Sequence, residues 1–471
     1  MNTLWKLARG LAVLVVLPGC LPEKRVTWSP DGKRALVRGA DGLYVADAAG
    51  KLSERLLEGV TDARWLPDAQ RVVLARSEEV RTWEALAPVL KPERRRELER
   101  RAPQLRAEIL AQEGGFENFE PAAFAGLSDG EREALLLLVR DRHAEGLADK
   151  VGEDWKSVAE LTCSVRVLQL GRLDEQGKLT LAAELARDID AFDRLCVAPD
   201  GGAVAFARPM PGADTDTQLY VIGSEGGPAR LVAENTSAFP AWSADGRWLA
   251  FASTRTRGLD DKKPLRLGVI ARRAVRGEDG RLLSEFADAE ELAGIVFDES
   301  TRVHWLRDGR VLFASIELHL PATERDMPER GGLYTVDPQA PTTVTRLLPR
   351  QAEAELPDGM LLFEVSPDER HVAVPGSEGL AIVDLRTADV WPVVAGANTL
   401  RMLSEWRGPD QLCVAVQREG ARRANVALLQ LDCANREAKE TVLSESWPET
   451  VVKDWLTEKP ESQPAGQQRP G

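Results

Sequence analysis

The chain is poor in the residues that build metal and redox centres, with 5 Cys and 4 His in 471 residues. The histidines, His143, His304, His319 and His371, lack metal-ligand spacing such as two His four apart with an acid. No metal and no cofactor is therefore expected. Positive charge is not in excess either. Lys and Arg number 61 against 75 Asp and Glu, a net charge of −14. A general nucleic-acid binder needs a basic surface, so nucleic acid is not an expected partner. The apolar run at 11–17 has seven residues, far short of the roughly 20 that span a bilayer. What is present is an ordinary hydrophobic fraction of 43%, enough for the bulk of the chain to fold. The length allows two or three domains, or one large repeat assembly.

The first residues read as an address. Lys6 and Arg9 give a positive start, residues 11–17 a short apolar centre, and Gly19 a small residue before Cys20. That order describes a secretory signal over 1–19. Leu17-Pro18-Gly19-Cys20 resembles the lipobox of bacterial lipoproteins, although Pro18 departs from the usual small or aliphatic residue. The resemblance implies that Cys20 is acylated, becomes the mature N-terminus and holds the chain at a membrane through its lipid. Leu21 rather than Asp after the Cys implies the outer membrane, or a position facing the periplasm. Loss of Lys6 and Arg9 with the leader leaves 59 basic against 75 acidic residues, or −16.

An internal phrase then recurs. It appears as Val26-Thr-Trp-Ser-Pro-Asp-Gly32, Ala63-Arg-Trp-Leu-Pro-Asp68, Cys196-Val-Ala-Pro-Asp-Gly201 and Ala241-Trp-Ser-Ala-Asp-Gly246. It returns as His304-Trp-Leu-Arg-Asp-Gly309, Glu364-Val-Ser-Pro-Asp-Glu369 and Trp406-Arg-Gly-Pro-Asp410. Its acids are Asp31, Asp68, Asp200, Asp245, Asp308, Asp368 and Asp410, at intervals of 37, 132, 45, 63, 60 and 42 residues. All but one interval suit a repeat of about 40 to 60, as in propeller blades. Pro presets φ, Asp caps the turn, and Gly takes the positive φ that closes a short hairpin. Trp28, Trp65, Trp242 and Trp305 stand three residues before the Asp, where a flat ring suits packing between blades. Trp406 is one residue early, which predicts a bulge in that strand. A third strand is marked by Leu43-Tyr-Val-Ala-Asp47, Leu219-Tyr-Val-Ile222, Leu333-Tyr-Thr-Val-Asp337 and Leu380-Ala-Ile-Val-Asp384.

These phrases resemble the repeat of TolB-type propellers, related to the WD-repeat class, over roughly 26–443. The resemblance implies an all-β fold, a seven-bladed β-propeller of four-stranded blades over 20–447. TolB itself places an α/β domain ahead of six blades, whereas seven repeats are counted here directly after Cys20, so its specific role is not carried over. Radial closure would protect the strand edges.

The long interval predicts an α-helical insertion at 77–161, between strands two and three of blade two. Pro92 opens a run with Leu98, Ala102, Leu105 and Ile109 at helical spacing, ended by Gly114 and Gly115. Ser128 and Glu131 read as a capping box for a second helix. A third is expected near 153–160. Arg94, Arg95, Arg96, Arg100 and Arg101 alternate with Glu93, Glu97 and Glu99, a salt-bridged face. The second-to-third-strand connections are long in blades two to five and short in one, six and seven. After 447 the chain turns polar and rich in Pro, Gln and Gly, a disordered tail over 448–471.

Catalytic signals are few. Gly126-Leu-Ser-Asp-Gly130 matches the nucleophile-elbow pattern, and propellers of this type also front prolyl oligopeptidase-like hydrolases. The elbow needs a strand before the Ser, and 121–125 is a poor strand, so Ser128 reads as a helix cap and no residue is assigned as catalytic. Asp214, Asp216, Asp260 and Asp261 lack a full calcium loop. Cys163, Cys196, Cys413 and Cys433 allow at most one disulfide, and in a plain hairpin Cys413 faces about Leu428 rather than Cys433. The sequence thus points to a non-enzymatic envelope lipoprotein that binds a protein partner through the long loops of blades two to five. The alternatives are a propeller hydrolase or lactonase with an axial metal or substrate site, and a purely structural envelope component.

Overall fold

The computed structural model describes residues 24–113, 119–152, 160–210, 217–237, 239–256, 266–297, 301–315, 332–341, 343–348, 362–376, 379–395, 399–400, 404–417 and 425–452. Cys20 and the leader lie outside them. The described residues are mostly β, and the sheets are antiparallel. The first holds β1 (Val26–Trp28), β2 (Arg34–Gly39) and β3 (Gly42–Asp47), with single bridges from β3 to Leu52 and Leu57. The second holds β4 (Val60–Trp65), β5 (Arg71–Val80), β6 (Cys163–Leu173) and β7 (Leu179–Asp188).

The third and fourth repeats form β8 (Asp193–Val197), β9 (Ala203–Pro209), β10 (Thr217–Gly223), β11 (Arg230–Thr236), β12 (Ala241–Trp242), β13 (Trp248–Thr256), β14 (Arg266–Ala274) and β15 (Glu290–Phe297). These eight share one sheet because a single pair, Thr236 opposite Ser253, joins β11 to β13. Then come β16 (Val303–Trp305), β17 (Val311–Ser315), β18 (Gly332–Val336) and β19 (Val344–Arg346). They are followed by β20 (Glu364–Val365), β21 (His371–Gly376), β22 (Gly379–Asp384) and β23 (Val390–Ala395). The last sheet contains β24 (Thr399–Leu400), β25 (Glu405–Gly408), β26 (Gln411–Gln417), β27 (Asn425–Asp432) and β28 (Glu437–Val442).

Strand alternation sends neighbouring residues to opposite faces, and here both faces are buried. Val37 packs backwards, against Cys413 and Val426 of the last sheet, while Leu36 packs forwards, against Val72 and Leu74 of the second. The pattern repeats: Phe206 joins Val73, Phe251 joins Leu219, and Phe313 joins Ile270. Val372 then joins Leu312, and Leu412 joins Ile382. The core is therefore a succession of layers between neighbouring repeats, and the last sheet returns to the first.

The repeat turns are closed by their own side chains. Ser29 Oγ donates to Asp31 Oδ1 at 2.6 Å, and the same bond joins Ser243 to Asp245 at 2.5 Å and Ser366 to Asp368 at 2.6 Å. Asp68, Asp200 and Asp308 accept the backbone N–H two residues on. The next residue has positive φ in six of the turns: Gly32 (67°), Ala69 (55°), Gly201 (73°), Gly246 (68°), Gly309 (91°) and Glu369 (58°). The Asp410 turn is shorter, with Gly408 paired to Gln411 and a register shift after Trp406.

Between β5 and β6 the chain leaves the sheet from Val80 and re-enters at the paired Cys163. The intervening helices are α1 (Trp83–Leu86), α2 (Pro92–Ala111), α3 (Asp129–Arg142) and α4 (Leu147–Val151). The helix expected near 153–160 falls almost wholly outside the described residues, as do Gly114 and Gly115. α2 buries Leu98, Ala102 and Leu105, and α3 starts on the Ser128–Glu131 capping box. These faces share a core with Trp83, Leu86, Val165 and Val167. No described helix is long and apolar enough to cross a membrane.

The expectation of a disordered tail from 448 needs correction at its start. α5 (Glu449–Val452) is helical, and it buries Val451 and Val452 against the first sheet because Trp447 Nε1 anchors the turn on the Gly50 carbonyl at 2.7 Å.

Candidate functional site: an axial cationic cavity

The first strands of the sheets lie side by side. β4 neighbours β1 and β8, β12 neighbours β8 and β16, and β25 neighbours β20 and β1. Of these, β1, β4, β8, β12 and β16, with residues beside them, line a cavity of about 390 Å³. Its charged lining is Lys24, Arg64, Arg194 and Arg302, with His304 and Cys196 beside them. Among the described residues, no carboxylate lines it.

The register explains the arginines. Arg64 stands directly before the repeat aromatic Trp65, and Arg302 stands three places before Trp305. Arg194 holds the same place before Val197. Positions one and three before the aromatic share a strand face, which relates Arg64 to Arg302, whereas Arg194 sits at φ 55° within a register shift of β8, where that alternation is broken. The guanidinium of Arg194 lies 4.9 Å from the Phe239 ring centre and that of Arg302 lies 5.7 Å from it, so one aromatic supports two cations.

Carboxylates stand behind the cations. Arg302 Nη1 is 2.7 Å from Glu364 Oε1, and Lys24 Nζ is 3.0 Å from the same oxygen and also pairs with Glu405. Arg64 meets Asp62 at 2.5 Å, and the two clamp the next strand: Leu195 N–H donates to Asp62 Oδ2 at 2.9 Å, while Arg64 Nε donates to the Leu195 carbonyl at 3.1 Å. Burial alone would raise the Glu364 carboxyl, but Arg302 and Lys24 outweigh it and hold it below the usual carboxylate range. Glu405 moves the other way, raised by burial and by the Glu364 charge against the pull of Lys24. Burial, with Arg302 second, pushes His304 down to about 4, so its imidazole is neutral at neutral pH.

The residues singled out in the sequence sit elsewhere. Asp31, Asp68, Asp200, Asp245, Asp308, Asp368 and Asp410 lie at turns, where their oxygens hold nearby N–H groups or, for Asp410, the Gln430 amide. Trp28, Trp65 and Trp242 pack between sheets and show edges to the cavity, as does the half-buried Trp305. Ser128 caps α3: its Oγ accepts from Glu131 N–H at 3.3 Å and donates to Asp190 Oδ1 at 2.8 Å. A 3-10 turn at Ala122–Phe124 precedes it, not the strand an elbow needs.

Cys163, Cys196, Cys413 and Cys433 are all unbridged, and Cys413 faces Leu428. His143 ends α3, and His371 is buried beside Trp391 and Trp406. His319 and the acids at 214, 216, 260 and 261 lie outside the described residues. So do most of the long connections of repeats three to five. The insertion is described, and Arg94 ties it down by pairing with Glu131, Asp188 and Asp190 at 2.9 to 3.0 Å. Arg208 holds Asp188 from β9 at 2.9 Å.

Reading the sequence missed Lys24, Arg194, Arg302, Glu364 and Glu405 as a group. The available signal was positional: each of the last four stands in a first strand or immediately before one, ahead of the repeat aromatic or its replacement.

No protein-family model and no curated protein matches this chain. Solved structures are similar at low identity. TolB from Acinetobacter baumannii has a TM-score of 0.38 and 16% identity, over 59% of this chain and 59% of that one. A puromycin-hydrolyzing peptidase from Mycobacterium tuberculosis gives 0.40 and 15%, over 61% and 44%. The chain therefore spans less than two thirds of either protein. An oligogalacturonate lyase from Vibrio parahaemolyticus gives 0.46 and 9%, over 88% of this chain and 90% of that one.

Proposed function

We propose that the protein is an exported, lipid-tethered propeller of seven blades that works as a non-enzymatic protein-binding scaffold in the cell envelope. The seven-blade reading draws on the layered cores, each between successive repeats, with the last returning to the first. Export and tethering rest on the leader and Cys20. The observation that carries the binding role is the insertion. It is a folded helical unit with its own core, raised on the β5–β6 hairpin and fixed to neighbouring sheets through Arg94 and Arg208. A rigid scaffold that presents one elaborated element is the usual arrangement for recognition.

An axial hydrolase or lactonase remains the competing reading, because the axis does hold a cavity. Against a metal there, Glu364 and Glu405 are already engaged by Lys24 and Arg302. The scaffold reading is tested by replacing 81–162 with Asn-Gly, which joins the paired Val80 and Cys163 in a two-residue turn. Crosslinked envelopes from wild type should yield a discrete partner complex that the shortened protein loses. An identical complex from both would reject the insertion as the binding element.

A further inference from the structure

We propose that the axial cavity is a binding site for a small polyanion, a compound carrying two or more carboxylate or phosphate groups. The protein as a whole is strongly acidic, at −14, yet this cavity is lined by Lys24, Arg64, Arg194 and Arg302 and by no carboxylate among the described residues. Asp62, Glu364 and Glu405 pair with Arg64, Arg302 and Lys24 from outside the lining, so the positive groups are the charged groups that line the cavity. The volume of about 390 Å³ lies in the range of small-molecule sites. It suits a ligand the size of citrate or pyrophosphate, not a polymer.

The cations are held ready. Arg194 and Arg302 are braced on Phe239, and Arg302 and Lys24 are fixed from behind by Glu364. Arg64 is fixed by Asp62 and the Leu195 carbonyl. The planar guanidinium groups of Arg194 and Arg302 suit carboxylate and phosphate oxygens, whereas Arg64, whose Nε and Nη1 already engage the Leu195 and Ala63 carbonyls and Asp62, adds charge alone. The acids therefore orient the cations without facing the ligand, and binding needs little reordering of side chains. Phe239, Trp242 and Pro240 supply part of an apolar wall beside the cations.

Calorimetric titration of the full mature protein with citrate, with pyrophosphate and with uncharged glucose tests this at constant ionic strength. The site predicts one-to-one binding of citrate, of pyrophosphate or of both, and none of glucose. Binding of citrate alone identifies a carboxylate ligand, and of pyrophosphate alone a phosphate ligand. Arg194→Gln and Arg302→Gln should each weaken binding about tenfold or more. Arg302→Lys keeps the charge but not the fork, and should fall between wild type and Arg302→Gln. Circular dichroism selects the variants that fold. Neither anion binding folded wild type at millimolar concentration would overturn the proposal. So would equal binding by wild type and folded Arg194→Gln.

Discussion

Trp65 donates its indole N–H to the carbonyl of Thr27 at 2.9 Å, across the boundary between two sheets. Trp242 makes the same bond to Cys196, and Trp406 to Glu364, both at 3.0 Å. Thr27, Cys196 and Glu364 each stand four places before the turn aspartate of their repeat, so the bond recurs at equivalent places at three of the boundaries between repeats. Trp406 reaches its acceptor although it stands one residue early, because the strand shifts register after it. The indole thus fixes the spacing of first strands, and that spacing shapes the axial cavity.

Removing this bond while keeping a ring isolates its contribution. Trp65→Phe removes one hydrogen bond to the buried Thr27 carbonyl, which stays paired with Leu36 in the sheet, and should cost about 0.5–1.5 kcal/mol. Urea unfolding should show a lower midpoint at unchanged slope. An unchanged midpoint would mean that packing alone sets the spacing.

The turn geometry predicts a gain as well as a loss. Ala69 sits at φ 55° where four of the other repeat turns place Gly. Relief of the left-handed strain, about 1–2 kcal/mol, exceeds the entropy that glycine adds, about 0.5–1 kcal/mol. Ala69→Gly should therefore stabilise slightly, whereas Gly32→Ala should destabilise, since its Cβ would meet the Arg407 carbonyl at 3.0 Å. Thermal unfolding of the two variants should move in opposite directions.

Acid should weaken the fold through His304. Its folded value of about 4 lies below the ordinary 6.5, so the unfolded chain takes up the proton first. The stabilisation is present above pH 6.5 and is lost as pH falls towards 4, up to about 3 kcal/mol at 1.36 kcal/mol per unit. His304→Asn should flatten that limb of the stability profile. A variant profile parallel to wild type between these limits would place the proton elsewhere.

Ser128→Ala should loosen α3 by about 1 kcal/mol, as loss of an N-cap does, seen as faster amide exchange at Glu131. A fluorophosphonate should leave wild-type Ser128 unlabelled. Labelling there would restore the hydrolase reading.

Much of the fold was legible because the repeat phrase has a mechanical basis: Asp31 and its counterparts close turns, and Trp65 and its counterparts bridge sheets. The capping box at Ser128 and the apolar spacing of Leu98, Ala102 and Leu105 were equally plain, since helix ends and faces are local. The cavity was not legible. Lys24 and Glu364 are 340 residues apart, and only ring closure brings them together. A lone Arg64 or Arg302 in a strand also looks like any surface charge until the register of neighbouring first strands is known. Likewise, Val451 and Val452 sat in a polar tail by composition, and only Trp447 docking on Gly50 shows why they are buried.

The most direct test of the scaffold account is site-specific photocrosslinking in intact envelopes. A photoreactive residue placed at Arg96 or Arg100, both on the exposed face of α2, should give one discrete adduct with another envelope protein, competed away by excess unlabelled protein. No adduct from either position, or an adduct that competitor leaves unchanged, would contradict it.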